Sequence, residues 1–530
     1  MNNSEVYVGL DIGTTSIKAL VCESVKGQLK VIGVGVERST GLNRGVIVDI
    51  DKTAQAISAA VAQAEEKSNV EIQSVVVGLP ANYLQMQRVH GMITIATRGQ
   101  SREIVNQDVI DVAREALTQS IPPEREIIDL IPTEFTVDGF SGIKDPRGMV
   151  GVRLEMKATL YTGPKTIIHN TKKAVQQAGY DIKDFVITPI ATDFNLLNDG
   201  EQDFGTVVID LGGGQTTTSI IHDHQLKYTY VDPEGGKYIT KDISTVMNTS
   251  LKNAEQLKLN HGYAMASLAD EDVQVDVDVV GQNDPVQYSE QYLSEIIEAR
   301  VRQIFDRIQD KLKAIHAPEL PGGVVLIGGV AALPGVKELA EQYFTGNIKV
   351  NVPEQMGIRH PRYAVSLALG MYENQLSDID RLIKQTVQRI DTIKSPHEEK
   401  GQTVNQPRQQ WTEKSDKLQR SQREAQQQPV TEEPAPKKKK QNGLSNRFKN
   451  IFNNLTIDFS LVPRNFFLRG EGALLSSSRK IFALNHWSIM VLRIKQWIKK
   501  AIFSLLAHFV IQVSLFGGTS VFSILAARNI

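Results

Sequence analysis

One local pattern occurs twice in this chain, and the repetition limits the folds open to it. At LDIGTTSIKALV, from Leu10 to Val21, an apolar run delivers Asp11, and Gly13, Thr14 and Thr15 turn the chain into a second run. At VVIDLGGGQTTTSII, from Val207 to Ile221, an apolar run delivers Asp210. Gly212, Gly213, Gly214 and Gln215 follow, and threonines lead into the next run. Small residues let backbone N–H groups approach phosphate oxygens, and hydroxyls add donors. A single such hairpin is more often plain structure. Two of them, each heading its own domain, can face one another and clasp a polyphosphate from both sides. Lys18 supplies a point charge for phosphate. Asp11 and Asp210 together suit a hydrated Mg²⁺, a hard cation that prefers oxygen ligands and keeps part of its water.

Further glycines fit the same chemistry. VVLIGGVAALPGV runs a strand into Gly328–Gly329, where a backbone without side chains leaves a flat surface for an adenine ring; in isolation it would be an ordinary strand–helix turn. PEGGKYITKDI places Gly235–Gly236 ahead of a helix whose N-terminal dipole can face phosphate. In AEQLKLNHG, Glu255 and Lys258 share one helical face and suit ribose hydroxyls and a purine edge, although a solvated face is the commoner fate of such a pair.

From Glu5 to about Asn374, β-rich runs alternate with helical patterns, the signature of an α/β protein. The length of 530 residues allows three or four domains. A single cysteine, Cys22, excludes an internal disulfide and a cysteine-based zinc cluster. The N-terminus lacks a basic segment followed by an apolar one, so a reducing cytoplasm is expected. The net charge of −1 hides an asymmetry: residues 437–530 carry +13 and the preceding 436 residues −14. A basic end on an acidic body is suited to an anionic surface, lipid or nucleic acid.

With VGLDIGTTSIKALV, GLNRGVIVDI, VVVGLPA, IDLGGGQTTTSII, GGKYITKDI and VLIGGVAALPGV in this order, the chain resembles the actin-type ATPase superfamily. Within it, the chain is similar to the FtsA family of bacterial cell-division proteins. ITPIATDFNLL and AVSLALG match the two helices that connect the lobes of that fold. The resemblance implies an actin-like two-lobed ATPase fold with ATP and Mg²⁺ in the cleft and at most weak hydrolysis. It implies a first lobe from residues 1–83 and 163–200, an inserted small α+β domain at 84–162, and a second lobe at 201–374 with an outer subdomain at about 238–312. It also implies a protein that polymerises on the inner face of the cytoplasmic membrane at the division septum, binds the FtsZ C-terminal peptide, and recruits later divisome proteins. Arg300, in EIIEARVRQIF, falls in the matching helix, ready to meet an acidic peptide; a solvated face beside a Glu298–Arg302 pair is the bland alternative.

Residues 375–436 are expected to be a disordered linker, because Ser395 to Pro436 holds hardly any large apolar residue. After four lysines, Leu444, Phe448, Ile451, Phe452 and Leu455 form one apolar stripe flanked by Arg447 and Lys449, suited to lie among anionic lipid headgroups. The rest, 456–530, departs from the family pattern. Its uncharged run Ala501–Ala527 is a formal transmembrane candidate, interrupted by Ser, His, Gln and Gly-Gly-Thr-Ser. A read-through or frameshifted extension would produce the same change in composition. A phosphotransferase or chaperone ATPase of the same fold is the alternative reading. The chaperone would need a β-sandwich domain after Asn374, and the kinase a substrate pocket and base. Nucleic-acid binding is not expected, since no fold for it is recognisable in the basic end.

Overall fold

The computed structural model describes residues 5–25, 28–96, 100–118, 121–317 and 319–394. The repeated hairpin builds two sheets of the same design. In the first, the strand order is Gln28–Arg38, Ser16–Val25, Glu5–Ile12, Ser74–Leu79, Asp181–Ile187; in the second it is Gln225–Asp232, Thr216–His222, Thr206–Leu211, Val324–Ile327, Ile348–Val350. Each begins with three antiparallel strands and continues with two parallel ones. Parallel neighbours require a crossover, and in this position helices supply it. Ile50–Ser68 is one: Asp49 caps it by accepting the Lys52 N–H at 3.0 Å, and it buries Ile57, Ala60, Val61 and Ala64.

Each sheet packs its own core. Leu10, Ile17, Ile57 and Val77 belong to the first, and Ile209, Ile297, Phe305 and Leu326 to the second. The helix Glu290–Ala314 covers the second sheet's core with Leu293, Ile297, Val301, Ile304 and Ile308, the expected three- and four-residue stripe. A third core joins the lobes. Ile190 and Ala191 of the helix Thr188–Leu196 and Val365, Ala368 and Leu369 of the helix Ala364–Gln375 pack with Val76 and Val186 from the first sheet and Val208 and Val325 from the second. These are the two connecting helices expected from the sequence, and they pack both sheets onto one shared core.

The inserted domain is a four-stranded antiparallel sheet, ordered Phe140–Ile143, Arg125–Val137, Arg153–Pro164, Gln85–Thr94, with the helix Asn106–Ala116 against it. Leu130, Phe135, Met156, Val109 and Val112 form its core.

The expected linker is corrected at its start. Asp378–Lys394 is a helix, and Ile379, Ile383 and Val387 join the inserted domain's core, against the helix Asn106–Ala116 and the strand Arg125–Val137. These residues recur every fourth position among charged and polar neighbours, so a stripe sufficient for packing is diluted in the average composition. Lys384 on the same helix is buried, with Nζ at 2.8 Å from Asp129 of the inserted domain and 2.7 Å from Asp184 of the first lobe. The remaining linker, the stripe Leu444–Leu455 and the extension 456–530 lie outside the described residues.

Candidate functional site

Both hairpin turns end at a cavity of about 410 Å³ between the lobes, within the range of small-molecule sites. In the first turn, the Gly13 N–H donates to the Ser16 carbonyl at 3.2 Å, which closes the chain tightly beneath Thr14 and Thr15. The second turn comes so close that a Cβ on Gly213 would run into the Thr15 side chain, and one on Gly214 into that of Thr14. The turns are therefore interdigitated, and glycine is required on one side. The N–H groups of Thr14, Gly213 and Gly214 make no hydrogen bond among the described residues, which leaves them available to an anion.

The strand register places Lys18 opposite Asp11, and its Nζ lies 2.7 Å from the Asp11 carboxylate with the lysine almost fully buried. Asp210 lines the same cavity. Burial first, then the Asp11 carboxylate, push Asp210 up to about 7, against the pull of Lys18. Asp210 is thus a second acidic group beside the Asp11–Lys18 pair. Two carboxylates at one cavity match a hard divalent cation held partly through water. A cation there would also relieve the repulsion that raises Asp210.

The helix Gly236–Val246 plays a different part from the one expected of its dipole. Its Gly236 and Lys237 N–H groups donate to the Gly212 and Gly213 carbonyls at 2.9 and 2.7 Å, and the Tyr238 N–H to Gly235 at 2.9 Å. The first two donors are spent on the second turn and the third on the helix's own cap, so the helix end fixes that turn instead of offering its own N–H groups. Gly235 packs beneath the turn, where a Cβ would strike the Gly212 carbonyl, and is not part of the cavity lining; Gly236 is.

Lys258 also differs from expectation. Its Nζ donates to Glu255 at 2.7 Å, Thr240 at 2.9 Å and the Gly236 carbonyl at 3.2 Å, so its three N–H bonds are all committed. Glu255 keeps 43% side-chain exposure and faces the cavity. Of this pair, the glutamate is the group with capacity left for a ligand. Gly328 has φ +91°, and a Cβ there would meet the Asp210 carboxylate, whereas one at Gly329 would meet nothing within 4 Å. Gly329 leaves open floor of the kind a flat ring needs.

Several lining residues carry no local sequence signal. Lys237 donates to the Thr14 carbonyl across the cleft at 2.9 Å, and His360 and Arg362 line the cavity from the segment before the second connecting helix. Asn82, which is outside the cavity lining, exchanges amide hydrogen bonds with the lining residue Gln215 at 3.0 Å in both directions. Their positions follow from long-range packing of the two lobes.

Arg300 lies away from the cavity and is not free. Asp242 takes its Nε and Nη2 at 2.5 and 2.9 Å, and Glu234 its Nη1 at 2.7 Å. Arg307 pairs with the same Glu234 at 2.6 Å and with Asp232. The expectation of an arginine ready for an acidic peptide is therefore corrected: neighbouring carboxylates already occupy it. The Glu298–Arg302 pair forms, at 2.6 Å.

Two sheets of one design, joined by two connecting helices and carrying apposed Asp–Gly turns, define the actin-like class with an inserted domain. The family model "Cell division protein FtsA" matches residues 207–368, and "SHS2 domain inserted in FTSA" matches 81–162. The cell division protein FtsA of Enterococcus faecalis is 54% identical over 387 residues, covering 73% of this chain and 88% of that protein. Those of Streptococcus pneumoniae and Bacillus subtilis are 48% and 41% identical, covering 72% and 70% of this chain and 83% of each relative. The chain belongs to the FtsA family of cell division proteins.

Proposed function

We propose that the cleft binds ATP with Mg²⁺, and that the protein polymerises on the inner face of the cytoplasmic membrane at the septum. There it tethers FtsZ filaments and recruits later division proteins. The observation that carries the nucleotide reading is the pair of interdigitated turns, with unpaired N–H groups bordered by Lys18, Asp11 and Asp210. In this reading the N–H groups of Thr14, Gly213 and Gly214 hold phosphate oxygens and Lys18 neutralises them. Asp11 and Asp210 hold the cation through water, Glu255 takes ribose hydroxyls, and Gly328–Gly329 lies under the base. When bound, the cation would supply charge neutralisation for the phosphate oxygens.

Among the described residues, no helix is long and apolar enough to cross a membrane. Attachment is assigned to Leu444, Phe448, Ile451, Phe452 and Leu455 with the adjoining lysines, on anionic lipid. The FtsZ C-terminal peptide is assigned to the outer part of the second lobe, where it must displace Asp242 or Glu234 from Arg300 or use other side chains. A chaperone ATPase or phosphotransferase gains no support from a lipid-seeking stripe.

Two measurements test this. Titration of ATP with Mg²⁺ into full-length protein should show Lys18→Ala at least about tenfold weaker, since a buried charged partner is removed; equal affinity would refute the cleft assignment. Co-sedimentation with anionic vesicles should survive a stop after Leu455 and vanish with a stop after Pro436. Binding indifferent to both truncations would remove the membrane reading.

A further inference from the structure

Asn43 and Val46 pair as the ends of a two-residue hairpin, with Arg44 at φ +49° and Gly45 at φ +73°. A turn of this kind ordinarily takes Asn or Asp followed by Gly, because both central residues are left-handed. An arginine in the first position is uncommon, and such outliers gather where the backbone serves a site. The turn touches both phosphate turns and the far lobe. The Gly45 N–H donates to the Thr14 hydroxyl at 2.8 Å, and a Cβ on Gly45 would enter the Gln215 carboxamide. Across the cleft, the Arg44 Nε donates to the Tyr238 hydroxyl at 3.1 Å, and Nη2 reaches the same oxygen. The Arg44 and Arg300 guanidiniums lie 5.7 and 5.8 Å from the Tyr238 ring centroid.

We propose that the Arg44–Gly45 turn braces the first phosphate turn through Thr14, and that the Arg44–Tyr238 contact latches the two lobes over bound nucleotide. The inference rests on the nucleotide reading of the cleft. A hydroxyl has one proton to give and two lone pairs to accept with. The Thr14 hydroxyl accepts from Gly45, so its own proton remains for a phosphate oxygen. A phosphate at Thr14 thereby fixes the hydroxyl, the hydroxyl fixes Gly45, and Gly45 holds Arg44 in register with Tyr238. Arg44 and Tyr238 are positioning residues that touch no phosphate; their effect is on how long the lobes stay shut. Through the shared ring, the latch reaches Arg300 and the helix Glu290–Ala314.

The test is release of a fluorescent ATP analogue with Mg²⁺ from full-length protein, chased with unlabelled ATP, for the parent, Arg44→Met, Tyr238→Phe and the double variant. Each single change should speed release roughly fivefold, the effect of one net hydrogen bond, with the association rate unchanged. The double variant should be no faster than the faster single one. Release at the parent rate in both single variants, or fully multiplicative effects in the double, would overturn the latch. Failure of the parent to bind the analogue would overturn the cleft reading and the latch with it. Tyr238→Phe preserves the ring and its packing, so it decides the matter should Arg44→Met fold poorly.

Discussion

Asp193 is a carboxylic acid in a place that does not tolerate a carboxylate. It sits on the first connecting helix with no exposed surface, accepts from the Ser219 hydroxyl at 3.0 Å, and leaves Oδ2 without a partner among the described residues. Burial pushes it up to about 8, with Ser219 and Thr192 pulling the other way. The folded chain therefore keeps this proton while the unfolded chain releases it near the ordinary value. The stability it contributes is complete below about pH 4 and is lost as pH rises through about 8. Asp193→Asn keeps the shape without the ionisation. It should raise the urea midpoint at pH 8.5 and leave it nearly unchanged at pH 4.5; equal midpoints at pH 8.5 would show that Asp193 ionises freely. The residue-scale signs that were legible were those made by neighbours in sequence. Gly13, Thr14 and Lys18 could be placed at one cavity because one hairpin contains them all. Asn82 could not, because its partner Gln215 comes from the other lobe, and the saturation of Lys258 depends on Thr240 and Gly236 from a separate helix.

At the scale of elements, the helix Asp378–Lys394 carries the clearest prediction. Its Lys384 bridges Asp129 and Asp184, and Tyr372 places its ring 5.3 Å from the ammonium. Burial raises Asp184 to about 6, and Lys384 holds it below what burial alone would give. Lys384→Met leaves two buried carboxylates without a counter-charge, at a cost of about 3–5 kcal/mol. Chemical denaturation at pH 7 should show that loss. Hydrogen exchange should rise first in this helix and in Arg125–Val137, while Glu290–Ala314 stays protected; uniform exchange across both lobes would mean that the pin is not local. The same helix shows why part of the fold escaped sequence reading. Strand-and-glycine patterns announce themselves within ten residues, whereas three aliphatic side chains in a polar segment become a core only when the inserted domain supplies the other half. Glu290–Ala314 was legible because its stripe is longer and unbroken. The first N–H groups of Gly236–Val246 were misread because their acceptors, Gly212 and Gly213, belong to a turn more than twenty residues earlier.

Among the described residues, two copies of one sheet design share a central core beside the inserted domain, so a change at the turns should act on the angle between lobes more than on either lobe's stability. Gly214→Val tests this. Its side chain would meet Thr14 and wedge the turns apart, while the second sheet's core lies elsewhere. ATP affinity should fall at least about tenfold, a loss of order 1.4 kcal/mol, while near-ultraviolet circular dichroism and the cooperative unfolding transition persist. Unchanged affinity would show that the turns need not meet for binding. The interdigitation also bears on time. Where Thr14 and Thr15 stand against Gly213 and Gly214, a polyphosphate held beneath them, as proposed above, would leave more slowly than from turns that stood apart. On the proposed nucleotide reading, these four residues would set how long a nucleotide stays as well as how tightly it binds.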